Sequence, residues 1–145
     1  MSASSASDRL RATHQESLQE QIGEIGVEAG LLTHAQLEAA RQEGLFPQNL
    51  LRDGVLDRTQ VADLRRAAAF RVARNEDKAL GSLMAGHGYV PESMIRAALL
   101  VQRQTFEESS RLVRLSELML RSGTLTQGHL VALHKLRKLA FQTPK

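Results

Sequence analysis

The sequence predicts an all-α fold: tandem helix-turn-helix hairpins packed into one compact domain. Three observations carry this. Apolar residues recur at helical spacing over most of the chain, as in Val61, Leu64 and Ala68 or Ile95, Leu99 and Phe106. No sustained strand alternation interrupts them. One phrase also returns four times, anchored on Gly30, Gly54, Gly88 and Gly123, and a repeat of this kind marks stacked supersecondary units. The chain has 145 residues, 42% of them hydrophobic and 3% aromatic, so its core is aliphatic.

Each phrase has the same physical content. A short amphipathic helix with paired apolar residues, such as Leu83-Met84 or Leu118-Met119, stops at a glycine that can take the left-handed conformation. Two residues follow, usually apolar, and are expected to pack between helices. A helix-start signal comes next: Thr33, Asp57 and Thr126 are good N-caps, and Pro91 suits a first helical position with Glu92 behind it.

In chain order, residues 1–7 are Ser/Ala-rich and read as a flexible tail, ahead of one domain over 8–145. A helix is expected from Asp8 to Glu28, with Leu10, Leu18, Ile22 and Ile25 on one side and a break at Gly23 or Gly26. The first pair of repeats covers about 19–72, with Phe46-Pro47 opening the second repeat. The stretch from Arg71 to Lys78 contains Asn75 and reads as a cap or a connector between the halves. The second pair covers about 76–142. Between Pro91 and Ser122 there is neither Gly nor internal Pro, which fits one long helix or two; a break near Glu108-Ser109-Ser110 is favoured because the pattern restarts at Arg114.

The chemical inventory excludes more than it offers. Without cysteine there are no disulfides, thiolate metal sites or Cys nucleophiles. The five histidines form no HExxH, and Gly86-His87-Gly88 lacks the strand and third glycine of a dinucleotide fingerprint. There is no P-loop and no GxSxG. The expectation is a non-enzyme without cofactor or metal. No apolar run reaches the ~20 residues of a membrane span, and the start lacks a signal-peptide core; a cytoplasmic protein is expected. Charge is uneven: residues 1–72 carry a net −2 and residues 73–145 a net +5, so the second half favours an anionic ligand. The segment His134-Lys135-Leu136-Arg137-Lys138 is too short and too poor in aromatics for a nucleic-acid patch, and neither DNA nor RNA is expected.

The third repeat reads Leu80-Gly81-x-Leu83-Met84-x-x-x-Gly88-Tyr89-Val90, then Ile95, Leu99 and Gln102. It resembles the motif RLGxxLLxxGLLxxxxLxxxLxxQ of the MshEN-like N-terminal domain of type II secretion and type IV pilus assembly ATPases. In that family, tandem copies of the motif bind cyclic di-GMP. The resemblance runs from about Gln21 to Arg137. The first repeat keeps Gly23 and Gly30, with Gln21 at the leading Arg position and Gly44 at the closing Gln. The third keeps Gly81, Gly88 and Gln102, with Ala79 at the leading Arg beside Lys78. The fourth keeps Arg114 and Gly123, with Ser116 at the first Gly and Arg137 at the Gln. A standalone module is expected, without the ATPase domain of that family.

The resemblance implies a bacterial signalling module in which Gly23, Gly30, Gly81, Gly88, Gln102, Arg114 and Gly123 line a cyclic di-GMP site. Arg donates two hydrogen bonds to guanine O6/N7, and Gln offers both a donor and an acceptor. Glycine admits a base close to the backbone. This reading couples nucleotide binding to a protein partner. The alternative is a protein-protein interaction scaffold that kept the fold and lost the ligand, which the absent leading arginines favour. An exposed apolar stripe would drive homodimerisation in either case.

Overall fold

The computed structural model describes residues 6–142, with side chains described from 14 to 136. Seven helices form among them: α1 (Ala6–Glu28), α2 (His34–Glu43), α3 (Gln48–Arg52), α4 (Arg58–Gly86), α5 (Glu92–Ser109), α6 (Leu115–Arg121) and α7 (Gln127–Gln142). There is no strand among the described residues. None of these helices is long and apolar enough to cross a membrane. Of the expected tail, residues 1–5 lie outside the described residues, while Ala6 and Ser7 already belong to α1. The side chains of Leu10 and Arg137 also lie outside them.

Two compact units are distinguished within the chain, one from Arg11 to Val72 and one from Ala73 onward that takes in Leu10 and the described residues before it. Each has its own aliphatic core. Ile22, Leu37, Leu50, Leu56, Val61 and Leu64 centre the first. Leu80, Met84, Ile95, Leu115, Met119 and Leu133 centre the second.

The four glycine turns share one geometry. Gly30, Gly54, Gly88 and Gly123 have φ of 75°, 72°, 72° and 75°. After each glycine the next N–H donates five residues back, from Leu31 to Gly26 at 2.9 Å, Val55 to Leu50 at 3.0 Å, Tyr89 to Met84 at 2.9 Å and Thr124 to Met119 at 3.0 Å. With the glycine N–H bonded three residues back, this is a Schellman ending that satisfies carbonyls a helix terminus leaves open. Of the two residues after each glycine, the second carries the burial: Leu32, Leu56, Val90 and Leu125 are all in a core.

The next helix is started by the expected caps. The Thr33 hydroxyl accepts from Gln36 N, the Asp57 carboxylate from Gln60 N at 2.8 Å, and the Thr126 hydroxyl from His129 N at 3.1 Å. In each case the third residue answers, with Gln36, Gln60 or His129 accepting from the cap N–H. Pro91 departs from this pattern. It occupies the cap itself with extended ψ of 142° and makes no side-chain bond, so the first helical position belongs to Glu92.

Two helix boundaries differ from the sequence reading, and a third falls where it was favoured. Helix α1 does not break at Gly23 or Gly26, because these glycines serve contact. A Cβ on Gly23 would lie 2.6 Å from Leu37 Cδ1, and one on Gly26 would lie 2.9 Å from Leu32 Cδ1. The segment Arg71 to Lys78, within which one unit gives way to the other, is continuous helix, the middle of the 29-residue α4. It holds no Gly or Pro to stop it, and its side chains bond on both sides of Asn75. Between Pro91 and Ser122 there are two helices, as favoured. Helix α5 ends where Ser110 turns left-handed at φ 58°, and α6 starts at Leu115.

Gly88→Val and Gly123→Val are expected to destabilise the protein by more than ~1 kcal/mol each. A Cβ at either site meets nothing within 4 Å, so the loss is one of backbone strain alone. Urea denaturation of the two variants checks this, and an unchanged midpoint for both would remove the role given to the turns.

Candidate functional site

A buried polar cluster is centred on Asp77, two and a half turns before the C-terminus of α4. Helical spacing points it inward, and its side chain is 2% exposed. A buried carboxylate needs a counter-charge and hydrogen bonds, and both are supplied from the segment that follows α5. Arg114 donates from Nε at 3.2 Å and from Nη2 at 3.0 Å to Oδ1. Leu115 N, the first N–H of α6, donates to Oδ2 at 2.9 Å. Gln102 Nε2 donates to the same oxygen at 2.7 Å. Asp77 therefore caps α6 from another helix, and favours its N-terminal dipole.

Gln102 completes the arrangement. It is fully buried, and its amide nitrogen also donates to Val113 O at 2.9 Å. Its carbonyl oxygen accepts from Arg74 Nη1 at 3.4 Å. Arg114 extends outward and also pairs with Glu76 at 3.1 Å. Burial works against the charge of Arg114, but hydrogen bonding and attraction from Asp77, with Glu76, outweigh it and raise its pKa.

The sequence-nominated residues separate into three groups in this structure. Gln102 and Arg114 are brought together, yet by a shared carboxylate instead of an open cavity. Gly81 is buried in helix contact, where a Cβ would lie 2.6 Å from Ile95 Cγ2. Gly23 has the same relation to Leu37; glycine and partner are fourteen residues apart in both cases. Gly30, Gly88 and Gly123 are exposed turn residues with positive φ.

An open groove of about 370 Å³ runs beside Gly81 between α4 and α5. Lys78, Ser82 and Ala85 line one wall, and Glu92, Arg96 and Leu99 the other. Arg96 is paired with Glu92 at 3.2 Å. Sequence reasoning missed Asp77 altogether. The signal available was an acidic residue at an apolar position of a helix, one turn before the core residue Leu80. It also missed a ring stack. Tyr89 lies over His129 with centroids 4.9 Å apart, and His87 lies 6.1 Å from Tyr89 on the same array. His87 and His129 are therefore both in ring contact with Tyr89.

Compared with known proteins, the chain matches no family model, no curated protein and no solved structure. The residues and their geometry carry the functional argument.

Two sets of variants test this description. Asp77→Ala is expected to cost about 3–5 kcal/mol, since it leaves the partner groups of a buried pair unmet. Gln102→Leu is expected to cost about 1–3 kcal/mol. The double variant should lose less than the sum by over ~0.5 kcal/mol, because the two share a bond. Chemical denaturation measures all three, and strict additivity would contradict the shared network. Gly81→Ala is expected to lower stability through the Ile95 contact, and Gly81→Ala with Ile95→Ala to lose less than the two single losses combined.

Proposed function

We propose that this chain is a protein-interaction scaffold, built on the helical frame of the MshEN-like receptor domain it resembles, whose base-reading pair has been turned to structural use. One observation carries the reading: the Gln102 amide is fully buried, with both nitrogen bonds spent on Asp77 and Val113. A guanine edge recruited to Gln102 would have to displace a buried, charge-assisted bond, and such bonds are worth about 1.5–3 kcal/mol. Arg114 is likewise engaged by two carboxylates. The apolar residues exposed on α5 support a role in association. Met94, Leu100 and Val101 are 43%, 53% and 44% exposed, and Met94 and Val101 are seven apart, so they share a face.

A second reading, the cyclic di-GMP sensor, is favoured by the groove beside Gly81, where Lys78 and Ser82 face a space large enough for part of a nucleotide. In it the glycine keeps its place near the ligand, and Lys78 replaces the arginine that the motif has at Ala79.

Calorimetric titration with cyclic di-GMP separates the two. The scaffold reading expects no heat and no melting shift at ligand concentrations near ~1 mM. Saturable binding that is lost in Ser82→Tyr, which fills the groove from an exposed position without touching the Asp77 network, would overturn it in favour of the sensor.

A further inference from the structure

Six arginines lie between Ala73 and Leu136. Four of them have a carboxylate partner: Arg96 with Glu92, Arg111 and Arg121 with Glu117, and Arg114 with Asp77 and Glu76. Arg74 and Arg103 have none among the described residues. These two unpaired charges are also close enough to repel. Burial, and then the charge of Arg103, lower the pKa of Arg74. Two neighbouring guanidiniums left without an acid, in a chain that pairs its other arginines here, form a local excess of charge that needs an explanation.

Arg74 is held firmly in place. Its Nη1 donates to Leu99 O at 2.7 Å and reaches Gln102 Oε1 at 3.4 Å, while its Nε is buried with no acceptor. The guanidinium is thus partly desolvated, short of hydrogen-bond acceptors and without a counter-charge, a combination that costs free energy unless something supplies the anion. Glu107, one turn beyond Arg103, makes no ion pair with it.

The position of the pair gives it a ligand direction. On α4, Arg74 precedes Lys78 by one turn, and Lys78 lines the groove beside Gly81. On α5, Arg103 follows Leu99 by one turn and Arg96 by two, and both of those line the opposite wall. Helical periodicity therefore carries each wall on to one of the two free arginines. The groove has apolar lining in Ile95 and Leu99, and a carboxylate at its far end in Glu92. Lys78 too has no acid partner among the described residues.

We propose that the Arg74–Arg103 end of the α4–α5 groove binds the phosphate group of a small phosphorylated molecule, with Lys78 as the third cation and the rest of the ligand lying along Ile95 and Leu99. Guanidinium forks suit phosphate because they present paired donors to its oxygens. Three cations around one group match a phosphate or diphosphate better than a single carboxylate. A volume near 370 Å³ falls within the range of small-molecule sites, about 300–1,000 Å³. The proposal goes beyond the scaffold reading, and does not use Gln102 or Arg114 as ligand contacts.

The test is calorimetric titration of the full chain with inorganic pyrophosphate at about 0.1 M salt, where unspecific surface attraction is screened beyond ~10 Å. Saturable binding is expected. Arg103→Gln, which breaks no bond within the protein, should weaken it about tenfold, as should Arg74→Gln. Arg58→Gln, an exposed change in the other unit, should leave it unchanged. Circular dichroism of each variant confirms that the helices persist. Absence of saturable heat up to ~1 mM, unchanged affinity in Arg103→Gln, or equal weakening by Arg58→Gln would each overturn the proposal. None of these outcomes bears on the scaffold reading, which the cyclic di-GMP titration tests separately.

Discussion

Burying the Asp77 carboxylate obliges the protein to bring a cation, a backbone N–H and an amide to one point, and those three groups come from widely separated positions. Arg114 and Leu115 stand at the start of α6, Gln102 in the last turns of α5, and Asp77 itself within α4. The carboxylate thereby fixes where α5 stops relative to α6. Gln102 bonds Val113 O as well as Asp77, so the end of the non-helical segment that leads into α6 is tied back to α5. A salt bridge of this kind is a weak source of net stability but a strong constraint on arrangement, since any other packing leaves the charge unpaired.

The unit from Arg11 to Val72 shows what the same frame does without that carboxylate. By repeat position, Gln19 stands where the other unit has Asp77, and Gly44 where it has Gln102. No side chain is available at Gly44 to tie the following segment. Asn49 does so from the other direction, donating from Nδ2 to Ala40 O at 2.8 Å and Gly44 O at 2.9 Å. The result is a looser-chemistry join: Leu45, next in line, is 80% exposed with φ of 56°, whereas Arg114 at the matching position is drawn onto Asp77. A neutral amide satisfies carbonyls, while a carboxylate recruits a charge. The two units thus differ in polarity at equivalent places although their glycine turns are alike.

That difference also bears on function. Residues selected by motif as ligand readers, Gln102 and Arg114, have chemistry suited equally to a guanine edge and to a buried carboxylate. Their partner in this structure is Asp77. The cations left over, Arg74, Lys78 and Arg103, have no motif to announce them. They are recognisable because neighbouring arginines have acids and they do not.

The sequence by itself determined the all-helical class, the four glycine turns and three of the caps. These depend on local physics: a left-handed φ that glycine takes without penalty, a hydroxyl or carboxylate within reach of an N–H three residues on, and a 3.6-residue apolar period. It favoured, over one long helix, the break that falls after Ser109, since the repeat restarts at Arg114. What it left open was anything set by contact across helices. Gly23 and Gly26 could have been breaks and are instead sites of close approach, because Leu37 and Leu32 lie against them. The Arg71–Lys78 stretch, where one unit gives way to the other, is continuous helix. The tertiary structure alone decided that Asp77 is buried and that Gln102 faces it, twenty-five residues away. A side chain's polarity states what it can bond, but its partner is chosen by which helices pack together, and that is a property of the whole core.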